Sequence, residues 1–161
     1  MTKRSKKEDV TKSMDSFRRI VRALRSSHRA ASDVDLTGAQ LFVLATLAQS
    51  DDPMGVRELA ETTRTDQSTV SVVVGRVVDR GLVKRVRSSV DSRRVELSLT
   101  ARGKAVLRRT PTTVAQRKLA DALDKLSGAD AATLSRILDK IVDLMGESDA
   151  PAPMLFDEKS G

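Results

Sequence analysis

Apolar residues recur every three or four positions at Val10, Met14, Phe17, Val21 and Leu24, with Arg18, Arg19, Arg22 and Arg25 largely between them. That spacing predicts a long amphipathic helix. Its stripe is narrow and close to a heptad seam, which suits pairing with a second chain as well as packing on its own domain. In LTGAQLFVLATLAQ the polar positions almost vanish: Leu41, Leu44 and Leu47 are joined by Phe42, Val43 and Ala48, so a buried helix is expected. Thr37 and Gln40 form a capping box at its start, and Pro53 and Gly55 in SDDPMG end it.

VRELAETT reads as a short helix, stopped by TRTDQS, after which Asp66 or Thr65 caps the longer helix QSTVSVVVGRVVDRG, with Gly81 as its left-handed close. A short helix, a tight polar turn and a second helix make a helix-turn-helix. LVKRVR alternates loosely and RVELSL cleanly; joined by SSVDS, they predict a β-hairpin. Thr100 caps a further helix over Thr100 to Val106, expected to run on towards Leu126 through Val114, Leu119, Ala122 and Leu123, with Pro111 interrupting or kinking it. Ser127 and Asp130 form another capping box before Leu134, Ile137, Leu138, Ile141, Leu144 and Met145. The charged first eight residues and the tail from Glu147 lack periodicity and are expected to be disordered. The fold class is therefore mainly α with a small β-hairpin, in the order of a winged helix-turn-helix with flanking helices.

Composition narrows the function. At 161 residues the chain suits one domain with tails, and with three Phe and neither Trp nor Tyr its core is aliphatic. Zero cysteines exclude disulfides and thiolate metal sites, and one histidine, His28, excludes a histidine-rich zinc centre. No apolar signal core and no membrane-length apolar run is present, so a cytoplasmic protein is expected. No GxSxG, Walker loop, HExxH or dinucleotide fingerprint occurs, which argues against an enzyme and against a cofactor. The formal charge of +7 is patterned: residues 1–32 carry ten bases and three acids, residues 33–56 four acids and no base, and residues 57–109 thirteen bases and six acids. Such blocks are the footprint of a polyanionic partner.

On the second helix of the pair, Val70, Val73, Val74 and Val77 share one face and should meet the core, leaving Gln67, Ser68, Thr69, Ser71, Val72, Gly75 and Arg76 outward. Gln67 and Arg76 can donate to phosphates or base edges, Ser71 and Val72 can approach a thymine methyl, and the polar first turn suits phosphate at a helix N-terminus. The competing reading is a solvated helix face. At the hairpin tip, Asp91 among Arg87, Arg93 and Arg94 is expected to hold the Arg93 guanidinium, aiming Arg93 into a minor groove while Arg87 and Arg94 meet flanking phosphates. The competing reading there is an ordinary exposed salt bridge.

The run from Leu36 to Gly103 resembles the MarR family of bacterial transcriptional regulators, through ELA at Glu58 to Ala60, GLVKR leading into the hairpin, the DxR of Asp91 and Arg93, and LTARG, similar to that family's LTxxG. The resemblance implies a homodimeric repressor bound to double-stranded DNA at a pseudo-palindromic operator and released by a small anionic or aromatic effector. It also implies a division into a basic N-terminus (1–8), a dimerisation helix (9–35), a winged helix-turn-helix (36–103), a helical dimerisation region (104–146) and a tail (147–161). Without cysteine the family's thiol sensors are excluded, and its zinc-responsive type does not suit this chain. Arg22, Arg25, His28 and Arg29 form one basic cluster that could hold an anion, although a solvated helix face or a phosphate contact explains it better. The alternative function is a winged-helix protein-interaction module without operator-specific DNA binding.

Overall fold

The structure, a computed structural model, describes residues 5–88, 91, 93–110, 114–147 and 154–157. The first helix, α1 (Lys6–Ser32), begins at a capping box in which the Ser5 hydroxyl accepts from the Lys7 N–H at 3.3 Å and the Glu8 carboxylate accepts from the Ser5 N–H at 3.2 Å. It therefore starts earlier than the expected ordered boundary at residue 9, because S-x-x-E at Ser5 to Glu8 satisfies orphan donors that the charged composition alone does not reveal. Residues 1–4 lie outside the described residues.

Helix α2 (Gly38–Gln49) is the buried one: every residue from Gly38 to Thr46 is inside, and Thr37 and Gln40 exchange the anticipated cap bonds at 3.1 Å each. Against it pack α3 (Val56–Thr63) and α4 (Gln67–Asp79). Val70, Val73, Val74 and Val77 of α4 have no accessible surface and meet Leu41, Leu44 and Leu59 in the core. Burying each such side chain stabilises by about 1.5–3 kcal/mol, which fixes the roll of α4 and hence which face it shows to solvent.

Gly81 adopts φ +67°, with its N–H on the Val78 carbonyl at 2.8 Å and the Leu82 N–H on the Val77 carbonyl at 3.0 Å, so α4 stops in a left-handed turn. The chain enters β1 (Val83–Arg87), which pairs antiparallel with β2 (Val95–Leu99), Val83 opposite Leu99 and Arg87 opposite Val95. Met54 extends this hairpin by one bridge, its carbonyl accepting from the Leu97 N–H at 2.9 Å. Helix α5 (Ala101–Leu107) then explains LTARG physically. Thr100 caps α5 through the Gly103 N–H at 3.1 Å while donating to the Gly81 carbonyl at 2.7 Å, and a Cβ on Gly103 would lie 2.2 Å from the Leu82 carbonyl oxygen.

The expected run towards Leu126 is split: α5 ends at Leu107 and α6 (Ala115–Asp124) begins afresh, while Pro111 lies outside the described residues. Helix α7 (Gly128–Met145) is capped by Ser127 as anticipated, and none of its residues is buried. The tail expectation needs correction as well. Met154 is buried against the core, Phe156 stacks on His28 and Asp157 pairs with Arg76, while Leu155 is exposed; four residues are too few to display a period, and these contacts are tertiary. The rest of that tail beyond Glu147 lies outside the described residues. Among the described residues no helix is long and apolar enough to cross a membrane.

Candidate nucleic-acid interface

With its valines inward, α4 leaves Gln67, Ser68, Ser71, Val72 and Arg76 exposed and Thr69 and Gly75 half-buried. Val72 is 52 % exposed, an apolar side chain set among small polar ones. The first turn is organised by Asp66. Its carboxylate accepts from the Thr69 N–H at 2.9 Å, from the Thr69 hydroxyl at 2.6 Å and from the Ser68 hydroxyl. These bonds hold the acid at about pKa 2, the Ser68 hydroxyl contributing most, then the Thr69 hydroxyl and N–H. The Ser68 and Thr69 hydroxyls thus point into the cap, and the helix start carries an ionised carboxylate, which changes the expected picture of a first turn free to receive a phosphate. Gln67, Ser71, Val72 and Arg76 are the side chains not drawn into that cap. Arg76 pairs instead with Asp157 at 2.8 Å.

On the hairpin, Arg87, Asp91, Arg93 and Arg94 are all exposed. Asp91 does hold Arg93, but through the main chain: its Oδ1 accepts from the Arg93 backbone N–H at 2.9 Å, and its carbonyl accepts from the Arg94 N–H at 2.9 Å. No contact of its carboxylate with a guanidinium appears among the described residues. A carboxylate two residues before a backbone donor closes an Asx-turn at less entropic cost than immobilising a long arginine. The Arg94 guanidinium is also committed, to Glu58 of α3. Glu58 additionally accepts from the Gly55 N–H at 3.1 Å, and its carboxyl lies below the usual range because of its own backbone N–H, then Arg94 and the Gly55 N–H, with desolvation opposing them. Glu58 therefore couples the start of α3 to the hairpin. The sequence signal was present in ELA, but a partner 36 residues away is not readable from it.

Elsewhere, Arg64 closes α3 in the left-handed conformation at φ 53° and reaches Asp124 of α6 at 2.8 Å. A cavity of about 490 Å³ lies between the α3–α4 turn, α2, α6 and the tail, lined by Phe42, Arg64, Gln116, Leu119, Leu123 and Met154 among others. The Gln116 amide, 5 % exposed, has no hydrogen-bond partner among the described residues. The anticipated cluster of Arg22, Arg25, His28 and Arg29 is divided, since the arginines are exposed and the imidazole lies flat on Phe156 at 4.8 Å between ring centres. No group of three acids or histidines placed to hold a metal occurs among the described residues.

A model of the MarR family matches residues 34–94, the stretch from just after α1 to the residue before β2. The chain is 30 % identical over 122 residues to the HTH-type transcriptional regulator MgrA of Staphylococcus aureus, spanning 76 % of this chain and 80 % of that protein. The chain belongs to the MarR family. Over a shorter stretch of 68 residues it is 37 % identical to the HTH-type transcriptional repressor MdtR of Bacillus subtilis, covering 42 % of this chain and 43 % of that one. Its fold is shared with a mutant MarR from E. coli complexed with operator DNA, at a TM-score of 0.56 and 22 % identity over 86 % of this chain and 99 % of that one. This MarR-family chain is a winged-helix transcriptional regulator, with α3 and α4 as the helix-turn-helix and β1–β2 as the wing.

Proposed function

We propose that two copies of this chain bind a pseudo-palindromic operator in double-stranded DNA and repress transcription, residues 36–103 forming the DNA-binding region and the helices of 9–35 and 104–146 the dimerisation region. The observation that carries the reading is the outward face of α4, where the acid-free row Gln67, Ser71, Val72 and Arg76 stands exposed beside a wing bearing Arg87, Arg93 and Arg94. In a major groove, Gln67 and Arg76 would donate to base edges or phosphates and Val72 would meet a thymine methyl. Ser68 and Thr69 would contribute through the capped backbone, Arg93 would enter the adjoining minor groove on a turn shaped by Asp91, Arg87 would meet a phosphate, and Arg94 would meet one with the donors that Glu58 leaves to it.

A second copy is supported by α7. An 18-residue helix with Ile137, Leu138 and Val142 exposed gains little from its own chain, and beside it a groove of about 660 Å³ is lined by Phe17, Ile20, Leu119, Leu123, Leu134 and Ile141. Covering such a face with its own two-fold copy is the ordinary solution. Release by a small anionic or aromatic effector fits the cavity beside Arg64 and the Gln116 amide, which has no partner among the described residues, and a cytoplasmic location fits a DNA-binding role.

Selection of bound duplexes from genomic DNA tests the reading. Enriched sequences should contain inverted repeats with half-sites about one helical turn apart, and the logarithm of the binding constant should fall steeply with that of salt. Light scattering should give a dimer. Enrichment without an inverted repeat, or a monomer at micromolar concentration, would contradict it, and a flat salt response would favour a protein partner.

A further inference from the structure

Four residues near the C-terminus are held by three helices. Met154 is 5 % exposed in the core, Phe156 lies on the His28 imidazole of α1 with ring planes 15° apart, and the Phe156 carbonyl accepts from the Ala39 N–H of α2 at 3.3 Å. Gly38 makes room for them, since a Cβ there would stand 2.8 Å from the Phe156 Cβ. The last contact is the telling one. The Asp157 side chain, only 12 % exposed, forms an ion pair at 2.8 Å with the Arg76 guanidinium of α4, which is itself 48 % exposed. A carboxylate and a phosphate use the same guanidinium donors, so one arginine satisfies one or the other.

We propose that Met154–Asp157 is a built-in strap that occupies Arg76, so that docking of the strap and binding of a duplex compete for one guanidinium. This rests on α4 being the DNA-reading helix. Met154 and Phe156 supply the apolar anchorage and Asp157 supplies the specificity. Because the strap belongs to the same chain, its effective concentration is high without any strong contact. A partly exposed ion pair of this kind sets the scale: releasing it strengthens duplex binding about two- to fivefold at low salt.

The full-length dimer or monomer, as it purifies, is labelled with 4-fluorophenylalanine, which gives three fluorine signals for three Phe; a Phe156→Leu variant assigns one of them. Asp157→Asn keeps the anchors and removes the charge, while Gly38→Ala dislodges the strap from the α2 side and Phe156→Ala from its own. Each should tighten binding to the selected duplex, and saturating duplex should move the Phe156 signal of the unaltered chain towards its solvent-exposed position. In an Arg76→Gln background the gain from Asp157→Asn should vanish. An equal gain in both backgrounds would mean general charge relief and would overturn the proposal, as would a Phe156 signal unmoved by saturating duplex. If no duplex binds any variant, the DNA-binding reading fails and the strap's role falls with it; failure of the strap alone differs, because the unaltered chain and Asp157→Asn then bind one duplex equally.

Discussion

The wing turn offers the most discriminating perturbation, because Asp91→Asn and Asp91→Ala separate two ways in which an acid can organise arginines. Of four hydrogen bonds among the described residues of the tip, three do not use the Asp91 side chain: Ser88 Oγ accepts from the Asp91 N–H at 3.4 Å, the Asp91 carbonyl accepts from the Arg94 N–H at 2.9 Å, and the Arg94 carbonyl accepts from the Ser88 N–H at 3.0 Å. The fourth, Oδ1 to the Arg93 N–H at 2.9 Å, does. An exposed bond of this kind contributes about 1 kcal/mol, so alanine lowers the ordered population of the tip, and with it operator affinity, about two- to fivefold. Asparagine offers its amide oxygen at the same position and should stay within about twofold of the parent. Loss of a negative charge near DNA favours binding equally in both variants, so their ratio isolates the hydrogen bond. Fluorescence anisotropy on the selected duplex at fixed salt measures that ratio, and Arg93→Ala, expected to cost about 1–3 kcal/mol, calibrates the scale. Were asparagine as weak as alanine, the carboxylate's charge would be what matters, and the Asx-turn account would be wrong.

Two further outcomes follow from the geometry. Gly103→Ala should destabilise the chain by roughly 1–3 kcal/mol despite alanine's better helix propensity, because its Cβ would lie 2.2 Å from a backbone carbonyl that cannot swing aside; an unchanged urea midpoint would show that α5 has room to shift. The Asp66 carboxyl sits near pKa 2 in the folded chain against an ordinary value of 3.8, so its contribution is complete above about pH 4 and is lost as the pH falls towards 2. Urea midpoints of the parent should therefore drop more steeply across that window than those of Asp66→Asn, and parallel curves would remove Asp66 as a pH-sensitive cap.

Much of the fold was legible because local chemistry and the final structure agree. The caps at Thr37, Asp66, Thr100 and Ser127 and the left-handed Gly81 each depend on close neighbours in the chain, and the inward valines of α4 follow its helical period. What escaped was long-range or ambiguous in kind. An acid beside arginines reads as an ion pair, yet Asp91 found a backbone donor, and Arg94 found Glu58, whose proximity is created only when the wing folds back beside α3. Ser5 and Glu8 did carry a readable capping box, masked by the lysines around them. Phe156 and Asp157 carried none: their partners, His28 and Arg76, lie over eighty residues earlier in the chain.

The wing and α4 are joined through three fixed points: the Gly81 turn, Thr100 on the Gly81 carbonyl, and Gly103 against Leu82, with Glu58 and Arg94 bracing the far side. Bending the wing against α4 would break these contacts together. Among the described residues, helix α7 has no comparable seat. In the proposed dimer the distance between the two winged heads would be set by α1, α6 and α7, so a change in their spacing would alter DNA affinity without reshaping either head. The cavity beside Arg64 and Gln116 sits on that boundary, where α6 meets the α3–α4 turn through the Arg64–Asp124 pair. In the proposed ligand-released repressor, a molecule lodged there would touch α6 and the α3–α4 turn at once, where a small binding energy would shift their relative placement.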